Sequence, residues 1–245
     1  MKKNKSGLWN ASFGQVVATL KALEDQGLSL EEMALLRSDK VLVKEVVNLI
    51  KTKLQIDSVD AIFLAVWQKI YREWFDVDVD ISGLQVPENY NPEKHFLVLV
   101  AKGITMNTVI AAMRKRFNVH LYTENLDVSV TKNDRTLENG TYIVLFNRNI
   151  EVDEEFKNMS ADDLAKKGHK GITLFERLLL EVLYYNETKE HLDVESLTLC
   201  SGSRHFDDRH VPRVGWGFGY EGLRVYGYDP GHSRNCLRPR SVVSL

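Results

Sequence analysis

The sequence predicts an α+β protein in which a helical and small α/β N-terminal region precedes a domain with a small antiparallel sheet. Apolar residues recur at helical spacing before residue 90, whereas short apolar runs separated by turn residues dominate the C-terminal half. The 245 residues are 44% apolar and 27% charged, which is typical of a globular chain. We expect three segments: a helical region at 1–90, a small α/β segment at 91–138 and the sheet domain at 139–245.

Four helices are predicted in the first segment, at 15–26, 29–36, 41–51 and 59–75. The last is the clearest, because its apolar residues follow helical spacing from Val59 to Trp74 and Ser58 precedes them as a candidate N-cap. These apolar side chains are expected to form core.

The remaining elements follow a turn-rich connector that contains Pro87 and Pro92. Ser160 is expected to begin a short helix, and the capping box formed by Thr173 and Glu176 predicts a helix over 173–185. A helix is also predicted at 106–117. The predicted strands are 96–100, 119–123, 142–146, 197–200, 211–216, 223–228 and 237–243.

Composition excludes several classes of protein. No apolar run approaches the roughly 18 residues that span a bilayer, and the basic N-terminus leads directly into polar residues rather than a signal peptide core. The two cysteines, Cys200 and Cys236, are too few for a disulfide scaffold. We therefore expect a cytoplasmic protein with free thiols, no membrane partner and no cofactor.

Sequence motifs leave two alternative functions open, a DNA-associated regulator and a metal-dependent enzyme. Residues 27–34 and the helix after them could form a helix-turn-helix of a DNA-associated regulator, but the region is not basic, so we expect no nucleic-acid partner. His205, Asp207 and His210 could bind a metal in a metal-dependent enzyme, although their spacing matches no strong signature. Cys200 with a tail histidine could form a nucleophile and base, but an inert buried thiol is the simpler interpretation.

The composition changes at residue 200. Residues 1–200 carry a net charge of −5, whereas residues 201–245 carry seven arginines, no lysine and a net charge of +3. Of the 40 residues at 201–240, 30 are Gly, Ser, Arg, His, Asp, Asn, Tyr, Phe or Cys. Side chains of this kind provide large contact area and adaptable hydrogen bonds, so the tail indicates a recognition surface. A loop-rich end to a β domain is the alternative.

The C-terminal half resembles the C-type-lectin fold, and within it the branch related to formylglycine-generating enzymes. The resemblance rests on the strand at 142–146, the turn Ser201-Gly-Ser-Arg204 and the terminal strands, with Cys236-Leu-Arg238 in the place of that branch's final Gly-Phe-Arg. Arg204 stands where the branch has Trp after Ser. The resemblance implies a C-type-lectin-like domain over 139–245 and carries no enzymatic activity with it.

The tail also resembles the variable proteins of diversity-generating retroelements, in which template adenines are randomised as they are copied into the 3′ end of a gene. The resemblance implies codons that never encode Lys, Glu, Gln, Met or Trp, and positions 201–240 depart from this alphabet only at Trp216 and Glu221. The segments 96–103 and 171–178 resemble uncharacterised proteins of small-genome bacteria, which implies no function.

These resemblances imply a binding protein and not an enzyme. Its ligand would be a protein or another macromolecule, and a randomised surface has no inherited specificity that would name this ligand. Strands would keep their inward residues constant while outward residues vary. The residues expected to be exposed and to contact the ligand are His205, Phe206, Asp207, Arg209, Arg213, Phe218, Tyr220, Tyr226, Tyr228, His232, Ser233, Arg234 and Asn235.

Overall fold

The structure, a computed structural model, describes residues 11–56, 59–206, 209–217 and 221–244. The chain is mixed α and β and divides into two compact units, Met1–Ser58 and Val59–Leu245. The expected N-cap Ser58 lies outside the described residues.

Residues 11–56, the described part of the first unit, form three helices, α1 (Phe13–Asp25), α2 (Leu30–Ser38) and α3 (Lys40–Ile56). All three were predicted, with ends shifted by a few residues. Capping boxes begin α1 at Ser12 and α2 at Ser29, because each hydroxyl accepts a backbone N–H from the first turn. Neither α1 nor α2 buries a residue.

The second unit contains the remaining helices and all the strands of the described chain. Its helices are α4 (Val59–Phe75), α5 (Met106–Arg114), α6 (Leu126–Ser129), α7 (Ala161–Lys166) and α8 (Leu174–Thr188). Its strands are β1 (His95–Val100), β2 (Val119–Leu121), β3 (Lys132–Asn133), β4 (Tyr142–Asn147), β5 (Leu197–Leu199), β6 (Ser203–Arg204), β7 (Val211–Trp216), β8 (Leu223–Tyr228), β9 (Leu237–Arg238) and β10 (Val242–Ser244).

Helix α4 packs on β1 and belongs to the second unit, so the expected boundary near residue 90 is wrong. The indole of Trp67 donates to the Leu97 carbonyl at 2.8 Å. The Tyr71 hydroxyl donates to the Leu99 carbonyl at 3.0 Å and accepts the Ala101 N–H at 2.9 Å. The expected boundary at 138/139 also fails, because β1 and β4 pair along their full length across it. Burial of the apolar face of α4 joins it to the sheet that follows in sequence.

The described strands form three sheets, with the orders β1-β4-β10, β2-β8-β7-β5-β9 and β3-β6. The first sheet is antiparallel. The antiparallel sheet expected from the strands after residue 196 is only partly correct: β5, β7 and β8 pair antiparallel, but β2 runs parallel to β8 and β9 parallel to β5, so the five-stranded sheet is mixed. The prediction of a single strand at 237–243 is wrong. This segment divides at Pro239 and Arg240 into β9 and β10, which join different sheets.

A buried charge cluster explains this division. Arg240 points inward and donates to the Asp193 carboxylate at 2.5 Å, and it also donates to the Asn149 and Ile150 carbonyls. Arg177, on α8, donates to the other Asp193 oxygen at 2.8 Å and to Glu181 at 2.8 Å. Buried charges are tolerated when they are paired and hydrogen-bonded in this way. The cluster fixes the segment between β9 and β10 to the core.

Candidate ligand-binding surface

Strands β7 and β8 pair antiparallel in continuous register, with Arg213 opposite Tyr226 and Val214 opposite Val225. Val214, Val225 and Leu223 are fully buried in the main core. Because strand side chains alternate between faces, the intervening residues point to the opposite side of the sheet.

Among the described residues, apolar side chains pack on that opposite side at one end. Val211 packs there with Ala161 and Leu164 of α7, and Tyr228 packs at the edge of the same small cluster. Arg213 and Tyr226, further along the two strands, are half-buried. The open part of this face therefore displays polar and aromatic side chains over a buried aliphatic layer.

Two arginines and two tyrosines form a group on this face, which we term the Arg–Tyr cluster: Arg213, Tyr226, Tyr228 and Arg234. The Arg213 guanidinium carbon lies 6.0 Å from the Tyr226 ring centroid and 5.2 Å from that of Tyr228. The Arg234 guanidinium carbon lies 5.8 Å from the Tyr228 centroid. These distances are in the range of cation–π attraction, which holds the four side chains together without carboxylates.

A cavity of about 410 Å³ adjoins the Arg–Tyr cluster and shares Arg213 and Tyr226 with it. Its volume is in the range of ligand pockets. The Trp216 ring stacks on His191 at 3.3 Å and 12°, which holds one wall in place. The other lining residues are Glu195, Ser196, Leu197, Gly217, Arg224 and Cys236.

Sequence reasoning missed Trp216, Arg224 and Glu195 as cavity residues. A signal existed for Arg224, because it precedes Tyr226 and Tyr228 at the same period-2 spacing in β8. In the sequence, Trp216 stands out only as a departure from the codon alphabet of the tail, and nothing local indicated Glu195.

The loop before β9 is the most exposed part of the expected contact set. His232, Ser233, Arg234 and Asn235 are all exposed, and the His232 Nδ1 lies 3.3 Å from the Asp229 carboxylate. The loop returns to the core at Leu237, which is buried.

His205 is the exception among the described contact residues, because it is only 5% exposed. Its N–H donates to the His210 carbonyl at 2.9 Å, and its imidazole hydrogen-bonds the Tyr122 hydroxyl. The expectation that His205 is an exposed contact is therefore wrong. Phe206 and Arg209 are exposed. Asp207, Phe218 and Tyr220 lie outside the described residues.

The geometry of the described residues gives little support to a metal site or to a cysteine nucleophile. Within 11–56, 59–206, 209–217 and 221–244, no group of three or more His, Cys, Asp or Glu side chains is arranged to hold a metal ion. Cys200 is a free, fully buried thiol, and burial raises its pKa far above the ordinary value, which disfavours the thiolate that a nucleophile needs. Cys236 is free and exposed.

Comparisons with known proteins identified no relative: no family model matches the chain, and neither the curated proteins nor the solved structures contain a match. No helix in the described part of the chain has the length and apolar character needed to cross a bilayer.

Proposed function

We propose that the chain is a ligand-binding protein that displays a diversifiable surface on a C-type-lectin-like scaffold, and that a diversity-generating retroelement varies this surface. The observation that carries the proposal is the separation of roles along β7 and β8. Val214, Leu223 and Val225 form core, while Arg213 and Tyr226 lie on the opposite face. Side chains on that face can change without removing core contacts.

The chemistry of the Arg–Tyr cluster favours an acidic patch on a protein or other macromolecule as the ligand. Among the described residues, neither Arg213 nor Arg234 forms an ion pair with a carboxylate, so both guanidinium groups can pair with acidic groups of a ligand. Tyr226 and Tyr228 supply rigid aromatic area of the kind that dominates recognition surfaces. The neighbouring cavity can accept one protruding side chain of the partner.

The first experiment is genetic. Codons 201–245 are aligned with any near-repeat in the flanking DNA, and the neighbourhood is searched for a reverse-transcriptase gene. We expect a repeat that differs almost only where it contains adenine, with the differing codons at positions on the open face such as Arg213 and Tyr226 and not at Val214 or Val225. A locus with no repeat and no reverse transcriptase removes the retroelement part of the proposal.

The binding part is tested with a displayed library in which Arg213, Tyr226, Tyr228 and Arg234 are randomised together. Selection against a panel of purified acidic proteins should yield specific binders. A matched library randomised at Val214, Leu223 and Val225 should lose folded protein. Equal loss of folded protein in both libraries would contradict the proposal.

A further inference from the structure

A large cleft lies on a part of the second unit that the Arg–Tyr cluster does not use. Its volume is about 1150 Å³, slightly above the usual range of roughly 300–1,000 Å³ for small-molecule sites. None of the proposed contact residues that the structure describes lines it. Its lining includes Lys132, Arg204, Ser201, His169, Asp134 and Glu138.

Two cations face each other across the short ladder at this cleft. Lys132 of β3 pairs in register with Arg204 of β6, which places their side chains on the same face. Like charges directly opposite each other are destabilising unless an anion lies between or beside them. Among the described residues, neither side chain forms an ion pair with a carboxylate. An external anion between the two cations would relieve their repulsion.

Arg204 is held so that part of its guanidinium stays available. Its Nη1 donates to the Ser201 carbonyl at 2.7 Å and to the Ser203 carbonyl at 2.8 Å. Within the described chain the Arg204 guanidinium makes no other hydrogen bond. The Nε and Nη2 donors remain for a ligand. A guanidinium fork matches two oxygens of a phosphate.

Two buried polar atoms at the same wall lack hydrogen-bond partners: the Ser201 Oγ and the His169 Nδ1. The Ser201 hydroxyl lies against Gly171, where a Cβ would be only 1.8 Å away. The His169 Nε2 lies 3.1 Å from the Ser241 hydroxyl. If that hydroxyl donates to Nε2, a neutral imidazole carries its proton on Nδ1. Unsatisfied buried donors are costly, and rotation of either side chain toward the cleft would let it donate to a bound anion.

Burial also shifts the pKa values of two cationic side chains at this wall. Burial lowers the pKa of Arg204, although the carboxylates of Asp134 and Asp162 oppose the shift. Burial lowers the pKa of His169, with opposition from Asp153. An anion in the cleft would reverse both effects by favouring the charged forms.

We propose that this cleft binds a phosphate group of a small molecule through Lys132 and Arg204, with Ser201 and His169 as additional donors. The carboxylates Asp134 and Glu138 lie at its exposed rim, where they can accept hydrogen bonds from hydroxyl or amino groups of the same ligand. The site is separate in residues from the recognition surface, so either proposal can fail without the other.

The test is calorimetric titration of the full-length chain with inorganic phosphate at constant ionic strength, with chloride as the comparison anion. We expect saturable binding of one phosphate. Lys132→Gln should weaken it by about tenfold, the loss expected for one charge-assisted contact. The matched control Lys102→Gln removes an exposed lysine outside the cleft and should leave the affinity unchanged.

Ser201→Ala adds a second variant that keeps every charge, and it should weaken phosphate binding while preserving the fold as judged by circular dichroism. Arg204→Gln is less suitable alone, because Arg204 also bonds two backbone carbonyls. A phosphate response no larger than that of chloride would overturn the proposal, as would equal weakening by Lys132→Gln and Lys102→Gln.

Discussion

Arg177 and Arg240 bind opposite oxygens of the same buried carboxylate, Asp193, from α8 and from the segment between β9 and β10. The Thr198 hydroxyl donates to Asp193 as well and accepts from both arginines. Asp193 adopts a positive φ of 56°, a conformation that costs free energy for a residue other than glycine. The cluster therefore joins the C-terminal segment, α8 and β5 at one point.

Replacement of Arg240 by alanine should strongly destabilise the second unit. The substitution leaves the buried Asp193 charge with one cation and removes donors from the Asn149 and Ile150 carbonyls. Breaking a buried pair in this way costs about 3–5 kcal/mol. Denaturant unfolding measures the change. Arg234→Ala, an exposed arginine in the same tail, is the control and should alter the free energy of unfolding by less than about 0.5 kcal/mol.

Asp193 should also contribute to loss of stability in acid. Burial opposes its ionisation, but Arg240 and Arg177 hold its pKa in the folded state below the ordinary value of 3.8. A carboxyl with a depressed folded pKa stabilises the protein fully above its unfolded pKa, and this contribution is lost as the pH falls from about 4 through the folded value. The free energy of unfolding of the wild type should therefore fall below pH 4.

Asp193→Asn is the comparison for this pH dependence. The variant should be less stable at pH 7 and should lose less free energy of unfolding between pH 5 and pH 3, because its side chain does not titrate. Parallel pH profiles for the two proteins would exclude Asp193 as a source of the acid sensitivity.

Elements with strong local signals were predictable. Val59–Phe75, Val211–Trp216 and Leu223–Tyr228 were predicted with the observed bounds, because apolar periodicity of 3.6 or 2 marks them within the segment itself. The split of the last predicted strand was not predictable in this way. It depends on the bond from Arg240 to Asp193, 47 residues away, and a buried arginine has no local signature.

The candidate sites likewise depend on contacts between residues far apart in sequence, which local patterns do not predict. Alternation in β8 placed Tyr226 and Tyr228 together, whereas the burial of His205 depends on Tyr122, 83 residues earlier. The cleft assembles Lys132, His169 and Arg204 from separate segments, and the pairing of β3 with β6 that brings two of them together involves only two residues from each strand. Strands this short carry no periodic pattern.

Tyr71→Phe should weaken the contact between α4 and β1. The hydroxyl accepts the buried Ala101 N–H and donates to the Leu99 carbonyl, so its removal leaves a buried donor without a partner while keeping the aromatic ring. We expect a loss of about 1–3 kcal/mol in the free energy of unfolding. The control is Tyr226→Phe on the open face of β8, which should change stability little. Equal effects of the two substitutions would show that the Tyr71 bonds do not stabilise the helix contact.

Substitution of the recognition surface should leave stability almost unchanged. In the triple variant Arg213→Ala, Tyr226→Ala and Arg234→Ala, the removed side chains are half-buried on the open face or exposed in the loop, and each cation–π attraction between such solvent-accessible groups is worth about 0.5–1 kcal/mol. Leu223→Ala, in the same strand as Tyr226, removes a fully buried side chain and should cost about 2–5 kcal/mol. Thermal unfolding should therefore separate the two variants clearly, although the triple variant changes three residues and the control only one. A triple variant as unstable as Leu223→Ala would mean that the surface is part of the core, and a surface on which stability depends cannot be freely resampled.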